Sequence, residues 1–324
     1  MAPHVNALIA TLDLICAPIP NSRVSEISEN ADAVRILRQS DFYMIGARAT
    51  CLFTGIFQSD NGKIGFTLQV QGGKKGTGFI DVLKLPPIKK LEGSANISVG
   101  YSEHFISLSK IENDDKITPL AVLSPEDLLW RRGRQEPFIS GLDNHLELAS
   151  YDLLYVGIAT QTDSYARLIA KGHQARQEIL SNEPQRYPGA RVSDEIFLFL
   201  FTAEPLLIKS WGPNDTIDNG DLEMSYNNNR LVADAEKAFI SILRPKYNSQ
   251  LYSNYPKGKD GIYSEGYTGY TYSLSDGIIL RTQYGSMKGA REGELTLSNN
   301  ADFISIQGDS VKLHIAGIDY EIEA

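Results

Sequence analysis

The chain has 324 residues, of which 42% are hydrophobic and 22% charged, a composition that excludes a disordered or fibrous protein and allows two or three domains. Its formal net charge of -9 excludes a protein that coats nucleic acid through its overall field, because such binding depends on clustered lysine and arginine. The two cysteines are too few for a disulfide framework and lack the spacing of a zinc site. No apolar run is long enough to cross a membrane and no secretory signal pattern is present, so we expect a cytoplasmic protein that does not bind membranes.

The N-terminal part of the chain predicts a helical segment followed by β structure. Residues 1–40 carry apolar side chains at helix-compatible spacing, Leu8 and Leu12 among them. Short runs rich in β-branched and aromatic residues follow, separated by glycine and proline turns, which is typical of a small antiparallel β unit. A helix is predicted to begin at Ser124, because a capping residue there precedes a proline and two acids. We place a first domain at residues 1–140.

The middle of the chain, residues 141–256, predicts an α+β or α/β unit in the order strand, strand, helix, strand, loop, helix. The run "LYVGIA" is the apolar strand, and the first helix follows it with Asp163 as its cap. "EIFLFLFTA" predicts a fully buried strand. The last helix is amphipathic and ends before Pro245.

The C-terminal part, residues 257–324, predicts a second β-rich domain. It is first rich in glycine, tyrosine and serine, and then shows alternating apolar and polar residues in several short runs, the last at residues 319–324. Such alternation is typical of β hairpins. The predicted fold class is therefore α+β, with a middle domain between two β-rich units.

Several residues of the middle unit are candidates for a functional site when they are considered together. Residues 155–157, Tyr-Val-Gly, lie in the apolar strand, and Arg167 lies on the helix behind it. Glu236 lies on a helix otherwise committed to the core, so its carboxylate must face solvent or a partner, and Pro245 and Asn248 follow. Taken singly, each feature is explained by core packing or by a solvated surface.

In combination these features resemble the GIY-YIG nuclease superfamily over residues 151–248. The resemblance implies a three-stranded mixed or antiparallel sheet flanked by helices, and an endonuclease that hydrolyses phosphodiester bonds with Mg²⁺ or Mn²⁺. It implies that Glu236 binds the metal, that Arg167 contacts the scissile phosphate and that Tyr155 helps to deprotonate the attacking water. The other candidates it implies are His173 and Tyr151 as catalytic residues, and Lys171, Arg176 and Asn248 as substrate-binding residues.

The first signature of that superfamily, Gly-Ile-Tyr on the opening strand, has no clear match a strand's length before Tyr155. The preceding segment offers His145 or Tyr151 instead, and both remain open. A literal Gly-Ile-Tyr occurs at residues 261–263, but it follows the glutamate helix and has the wrong order.

Local charge favours nucleic acid as the partner, with DNA preferred, in restriction, phage defence or mobile-element cleavage. Residues 167–191 form a positive segment, and "WRRGRQ" before the middle domain adds a second basic cluster. The β-rich units would bind the target, a partner protein or a second copy of the chain. Two other hypotheses remain: a catalytically silent nucleic-acid or protein binding module that keeps the fold, and a structural or interaction protein in which the β units dominate. A Glu236 side chain that points away from the site, or that pairs with Lys237, would favour the silent module.

Overall fold

The computed structural model describes residues 6–59, 62–91, 96–111, 116–212, 225–293 and 296–318, and its fold is α+β with several sheets. The strands are β1 Asn6–Leu14, β2 Ile19–Pro20, β3 Phe42–Ala47, β4 Cys51–Gln58, β5 Ile64–Val70, β6 Lys75–Ile80, β7 Asn96–Tyr101, β8 Ile106–Ile111, β9 Ile117–Leu123, β10 Ile139–Gly141, β11 Ser150–Ile158, β12 Ile196–Lys209, β13 Gly269–Leu274, β14 Ile279–Thr282, β15 Gly285–Lys288, β16 Phe303–Gln307 and β17 Ser310–His314. The α-helices are α1 Val24–Ser28, α2 Ala31–Leu37, α3 Pro86–Lys89, α4 Pro125–Gly133, α5 His145–Leu148, α6 Gln174–Asn182, α7 Val192–Glu195 and α8 Asn228–Leu243. Within the described ranges, no helix is both long enough and apolar enough to cross a membrane.

A large central sheet gathers strands from the whole chain. Its order is β15-β14-β11-β3-β12-β1-β13-β16-β17, and β2 also pairs with β12. β3 lies between β11 and β12 and is antiparallel to both. Because β1 and β3 precede residue 140 and β13 follows residue 256, the sheet runs across both predicted domain boundaries.

Two smaller sheets lie between β3 and β11 in the sequence, where the β-rich unit was predicted. One has the order β10-β6-β5-β4 and the other β7-β8-β9. The predicted start of α4 is confirmed, since the Ser124 side chain accepts the Asp127 amide N–H at 3.1 Å and the Asp127 carboxylate accepts the Ser124 N–H. A buried ion pair between Arg48 and Glu126, 2.5 Å long, connects α4 to the end of β3.

The first part of the predicted helix at residues 1–40 is wrong, because residues 6–14 form a strand; residues 1–5 lie outside the described ranges. Leu8 and Leu12 are four residues apart, a spacing that fits one face of a helix and equally one face of a strand. The structure buries Leu8, Ala10, Leu12 and Leu14, which is the period of a strand. Hydrogen bonding to β12 on one side and β13 on the other decides the outcome. The later part of the segment is helical, as predicted, in α1 and α2.

The order predicted for the middle unit also needs correction. Only β11 precedes the helical region, because residues 145–148 form α5 instead of the expected first strand. The predicted single helix after Asp163 is divided into a π-helical turn, Tyr165–Ala170, and α6. Gly172, with a φ of +71°, separates them, and this left-handed conformation favours glycine. The C-terminal hairpins β14-β15 and β16-β17 form as predicted, and residues 319–324 lie outside the described ranges.

The two faces of the central sheet bury separate core clusters. Alternate residues of β3 point to opposite faces, so Tyr43 and Ile45 join one cluster and Phe42 and Met44 the other. The π-helical turn and α6 cover the Tyr43 face, whereas α8 packs on the Phe42 face through residues such as Phe239.

Candidate active site beside the open part of strand β11

Two tyrosines from neighbouring strands form the centre of the site. Tyr43 on β3 is fully buried and Tyr155 on β11 is half-buried. Their rings are stacked, with centroids 6.2 Å apart and an interplanar angle of 22°. Tyr155 is the tyrosine for which the resemblance implies a catalytic role. Tyr43 was missed, although "FYMIG" at residues 42–46 carries a tyrosine and a nearby glycine in an apolar strand, as residues 155–157 do.

Gly157 makes room for both rings. It pairs with Tyr43 across the sheet, and a Cβ atom placed on it would lie 2.7 Å from Tyr155 Cε1 and 2.8 Å from Tyr43 Oη. Contacts this short are repulsive, so a side chain at this position must displace one of the two tyrosines. The glycine is therefore required by the packing of the site.

We expect Gly157→Ala to lower the free energy of unfolding by about 1–3 kcal/mol, the usual cost of overpacking a buried position. Thermal unfolding measures this effect. Gly55→Ala is the matched control, because Gly55 also lies in a strand and its added Cβ would meet no atom closer than 3.9 Å. Equal stability of the two variants would contradict the proposed packing constraint.

His173 contacts both tyrosines. Its Nε2 atom lies 3.0 Å from Tyr43 Oη, and its ring meets the Tyr43 and Tyr155 rings edge-on. His173 also caps α6, because its Nδ1 accepts the Arg176 backbone N–H at 3.3 Å. A neutral imidazole has one donor and one acceptor nitrogen. Because Nδ1 is the acceptor, Nε2 carries the hydrogen and donates a hydrogen bond to Tyr43 Oη.

The charge state of His173 supports this assignment. Burial, with repulsion from Arg167 and Arg176, lowers the pKa of His173 to about 4. The imidazole is therefore neutral near pH 7. Since Tyr43 Oη accepts a hydrogen bond from His173, its own O–H is free to donate towards Tyr155. Burial and the nearby Glu236 raise the pKa of Tyr155, and Arg167 and the hydrogen bond from Tyr43 oppose that rise.

Arg167 brings positive charge to the same place. It lies exposed on the π-helical turn, whose start is held by the Asp163 carboxylate, which accepts the Ala166 N–H at 2.7 Å. Burial raises the pKa of Tyr43, Tyr155 and Glu236, and the charge of the Arg167 guanidinium opposes each rise. Arg167 is therefore close enough to groups on β3, β11 and α8 to influence their ionisation.

Glu236 completes the group from α8. Burial raises the pKa of its carboxyl to about 7, and Asp260 acts in the same direction, whereas Arg167 and Lys237 oppose the shift. Lys237 forms its ion pair with Asp260. Glu236 itself has no hydrogen bond or ion pair with any residue in the described ranges, so it is not paired with Lys237.

The donor set at Glu236 fits a hard divalent cation. No group of three or more His, Cys, Asp or Glu that could enclose a metal occurs in the part of the chain that is described. Mg²⁺ does not require such a group, because it keeps several of its waters and binds through one or two carboxylates. A carboxylate whose ionisation is opposed by burial gains most from a nearby cation.

Tyr151, predicted as a catalytic candidate, lies outside this site. It is buried on the opposite face of the sheet, where it packs against Phe197 and Phe199. Arg48 Nη1 donates to its hydroxyl at 3.0 Å. The cause is a register shift in β11 between Leu153 and Tyr155, which changes the alternation of side chains along the strand. The other alternative, His145, packs against Gly277.

Two of the predicted substrate-binding residues have structural contacts instead. Arg176 Nε donates to Asn21 Oδ1 at 2.6 Å and its Nη1 to the Leu168 carbonyl at 3.0 Å, so its guanidinium stabilises the π-helical turn. Asn248 bonds both backbone groups of Val156, at 2.9 and 2.8 Å, and so takes the place of a neighbouring strand on the open side of β11. Lys171 is exposed, and its role stays a prediction.

The basic cluster "WRRGRQ" is largely used within the fold. Arg134 binds the carboxylates of Asp13 and Asp276 at 2.6 and 2.8 Å, and Arg132 donates to the Gly141 carbonyl. These arginines connect α4 to the central sheet and to β10. They are therefore poor candidates for a nucleic-acid surface.

Comparison of the chain with protein-family models, with curated proteins and with solved structures finds no match. Function must therefore be inferred from the arrangement of side chains described above.

Proposed function

We propose that the protein is a divalent-metal-dependent endonuclease that hydrolyses phosphodiester bonds in DNA. The convergence of Tyr43, Tyr155, Arg167, His173 and Glu236 carries this proposal, since these residues come from distant segments and share one site. Hydrolysis of a phosphodiester needs an activated water, a cation near the non-bridging oxygens and a group that orients the phosphate.

Tyr43 supports the resemblance to the GIY-YIG superfamily, because it offers a tyrosine for the first signature, which has no clear match in the sequence directly before Tyr155. We propose Tyr43 as the counterpart of the first signature tyrosine and β11-β3-β12 as the counterpart of the superfamily's three-stranded sheet. On this interpretation residues 48–149 are inserted between the two signature strands. The π-helical turn and the break at Gly172 account for the longer spacing from Arg167 to His173.

In the proposed reaction, Glu236 would hold Mg²⁺, and the cation would supply positive charge near the scissile phosphate. Tyr155 is the more accessible tyrosine. Because burial raises its pKa, its ionised form depends on the positive charge of Arg167 and of the cation that Glu236 would hold, and in that form it accepts a proton from the attacking water. The water oxygen forms a bond to phosphorus, the bond to the leaving oxygen breaks, and that oxygen takes a proton from solvent. Tyr43 and His173 act through Tyr155 as positioning residues, because each donates a hydrogen bond along the chain that ends at its oxygen.

Arg167 binds the phosphate undergoing attack. A guanidinium has planar, paired donors that match two phosphate oxygens, and Arg167 is exposed and can be approached by a substrate. Its charge also favours the ionised forms of Tyr155 and Glu236. Cleavage of both strands of a duplex by one such site would require two copies of the chain or two successive events.

The proposal is tested by cleavage of supercoiled plasmid DNA and of RNA in Mg²⁺ or Mn²⁺, with Tyr43→Phe compared with Tyr151→Phe. We expect Tyr43→Phe to lower kcat by about a hundredfold, the usual cost of losing the orientation of a reacting group. The alkaline part of the pH profile, where Tyr155 ionises, should also move to higher pH, because the hydrogen bond from Tyr43 opposes the rise in the Tyr155 pKa that burial causes. Tyr151→Phe removes a hydroxyl from an equally buried tyrosine and should leave kcat and the pH profile unchanged.

Absence of metal-dependent cleavage by the wild-type protein would reject the nuclease. Loss of activity in Tyr151→Phe with full activity in Tyr43→Phe would place the catalytic tyrosine on the other face of the sheet. Melting temperatures of both variants separate these results from unfolding.

A further inference from the structure

A basic groove lies beside the candidate active site. It has a volume of about 710 Å³ and runs between β11, the β14-β15 hairpin and the segment after α8. The residues of this β14 groove that matter here are Asp152, Arg244, Lys246, Arg281 and Tyr284. Three of them are cations and one is an anion, in a chain whose formal net charge is -9. Positive charge is therefore concentrated at this surface.

The cations of the β14 groove are only partly neutralised by the protein. Asp152 is shared, since Arg281 approaches it at 3.8 Å and Arg186 at 3.7 Å. Glu183 is shared in the same way between Lys246 and Arg186, at 2.7 and 2.6 Å. Two carboxylates, Asp152 and Glu183, are thus shared among three cations, Arg186, Lys246 and Arg281, so positive charge is available to a ligand.

Arg244 and Tyr284 form a second recognition element in the groove. The Arg244 guanidinium carbon lies 5.2 Å from the centre of the Tyr284 ring, and 55% of Tyr284 is exposed. Arg244 has no ion pair with a described residue. An exposed aromatic ring beside an arginine provides a stacking surface for a nucleic-acid base.

The β14 groove is continuous with two other features. Asp152 and Arg281 also line a neighbouring cavity of about 300 Å³ that includes Lys74 from the inserted β unit. In the other direction, Asn248 lines the groove and bonds both backbone groups of Val156, the residue next to Tyr155 on the open edge of β11. A strand lying in the groove would therefore reach the candidate active site.

We propose that the β14 groove binds the sugar-phosphate backbone of DNA next to the scissile phosphate, with one base stacked on Tyr284. Arg244 and Arg281 contact phosphates. The proposal rests on the proposed nuclease function, because it assigns the substrate strand to that site. Its chemistry is that of backbone recognition, which is independent of base sequence.

The test measures binding without cleavage. Fluorescence anisotropy of a short fluorescein-labelled DNA duplex is recorded in EDTA over a series of salt concentrations, for wild type and for Arg244→Gln/Arg281→Gln. We expect the double variant to bind roughly a hundredfold more weakly, about tenfold for each lost charge-assisted hydrogen bond. The slope of log K against log salt should fall by about one for each arginine. Lys89→Ala/Lys90→Ala is the charge-matched control, since both lysines are exposed outside the groove, and it should bind as wild type does.

The outcomes separate this proposal from the nuclease. Unchanged affinity and salt slope in the arginine variant would overturn the proposal that the groove binds DNA. A wild-type protein that binds no DNA at low salt would overturn it as well, and would favour an acidic protein as the ligand of the groove. Arginine-dependent binding with no cleavage by the wild type would retain the groove and reject the nuclease. Cleavage with an unchanged KM in the arginine variant would retain the nuclease and reject the groove as the substrate-binding surface.

Discussion

Glu236→Gln is expected to abolish cleavage and at the same time to stabilise the protein above pH 7. The loss in kcat should exceed about a thousandfold, because the variant cannot hold the cation that stabilises charge in the transition state. In the wild type, cleavage should increase as pH rises through about 7, since burial raises the pKa of Glu236 to that value and the carboxylate is the active form.

The effect on stability has a defined sign. Because the folded-state pKa of Glu236 lies above the unfolded value, the folded protein binds the proton more tightly and the wild type loses stability as pH rises from about 4.5 to about 7. Glutamine removes this loss, so the variant should gain roughly 1–2 kcal/mol at pH 8 after allowance for solvent screening, and nothing at pH 4.

Thermal unfolding with and without Mg²⁺ gives a measurement that does not depend on catalysis. Mg²⁺ should raise the Tm of the wild type by several degrees, because a ligand that binds only the folded state stabilises it, and should leave Glu236→Gln unchanged. Glu178→Gln, an exposed helix position, is the control and should behave as wild type does in every assay. A Mg²⁺ response that persists in Glu236→Gln would place the metal elsewhere.

Arg167→Ala is expected to lower kcat by about 10²- to 10³-fold, the usual cost of losing one donor that stabilises developing charge. Stability should change by less than about 0.5 kcal/mol, because Arg167 is exposed. Arg167 lowers the pKa of Glu236, so its removal should raise that pKa and move the rise in residual activity to higher pH. Steady-state cleavage rates over a pH series measure both effects.

Two further variants serve as controls for the Arg167→Ala measurement. Arg35→Ala removes another exposed arginine, whose ion pair with Asp32 is open to solvent, and should leave cleavage unchanged. Arg167→Lys keeps the charge without the paired donors, so we expect it to restore the pH profile but only part of kcat. A large fall in Tm for Arg167→Ala would instead indicate a structural role for this residue.

Elements defined by local chemistry were predicted correctly. α4 begins at Ser124 because a capping box and a proline satisfy the first backbone donors within a few residues. α8 and β12 were also recognised, since a long amphipathic or fully apolar run has one stable conformation in most surroundings. β1 was missed because leucines four residues apart fit a helix and a strand alike, and only its two neighbouring strands resolve that ambiguity.

The residues of the candidate site also fall into those that the sequence suggested and one that it missed. Tyr155, Arg167 and Glu236 were singled out from the sequence because their combination and order resemble the GIY-YIG signatures, although each feature alone is explained by core packing or a solvated surface. Tyr43 was missed because its partner strand β11 lies more than a hundred residues later, beyond residues 48–149. Strand pairing at such a separation leaves no local pattern in the intervening sequence.

By itself, the sequence determined which chemical groups the protein has available and which local segments hold them, because helix caps, turns and apolar periods act over a few residues. The tertiary structure alone decided which tyrosine stands beside Tyr155, that Tyr151 faces the other way, and that Asn248 supports a strand. Those outcomes depend on strand register and on a shift within β11, where one residue more or less moves a side chain to the opposite face of the sheet.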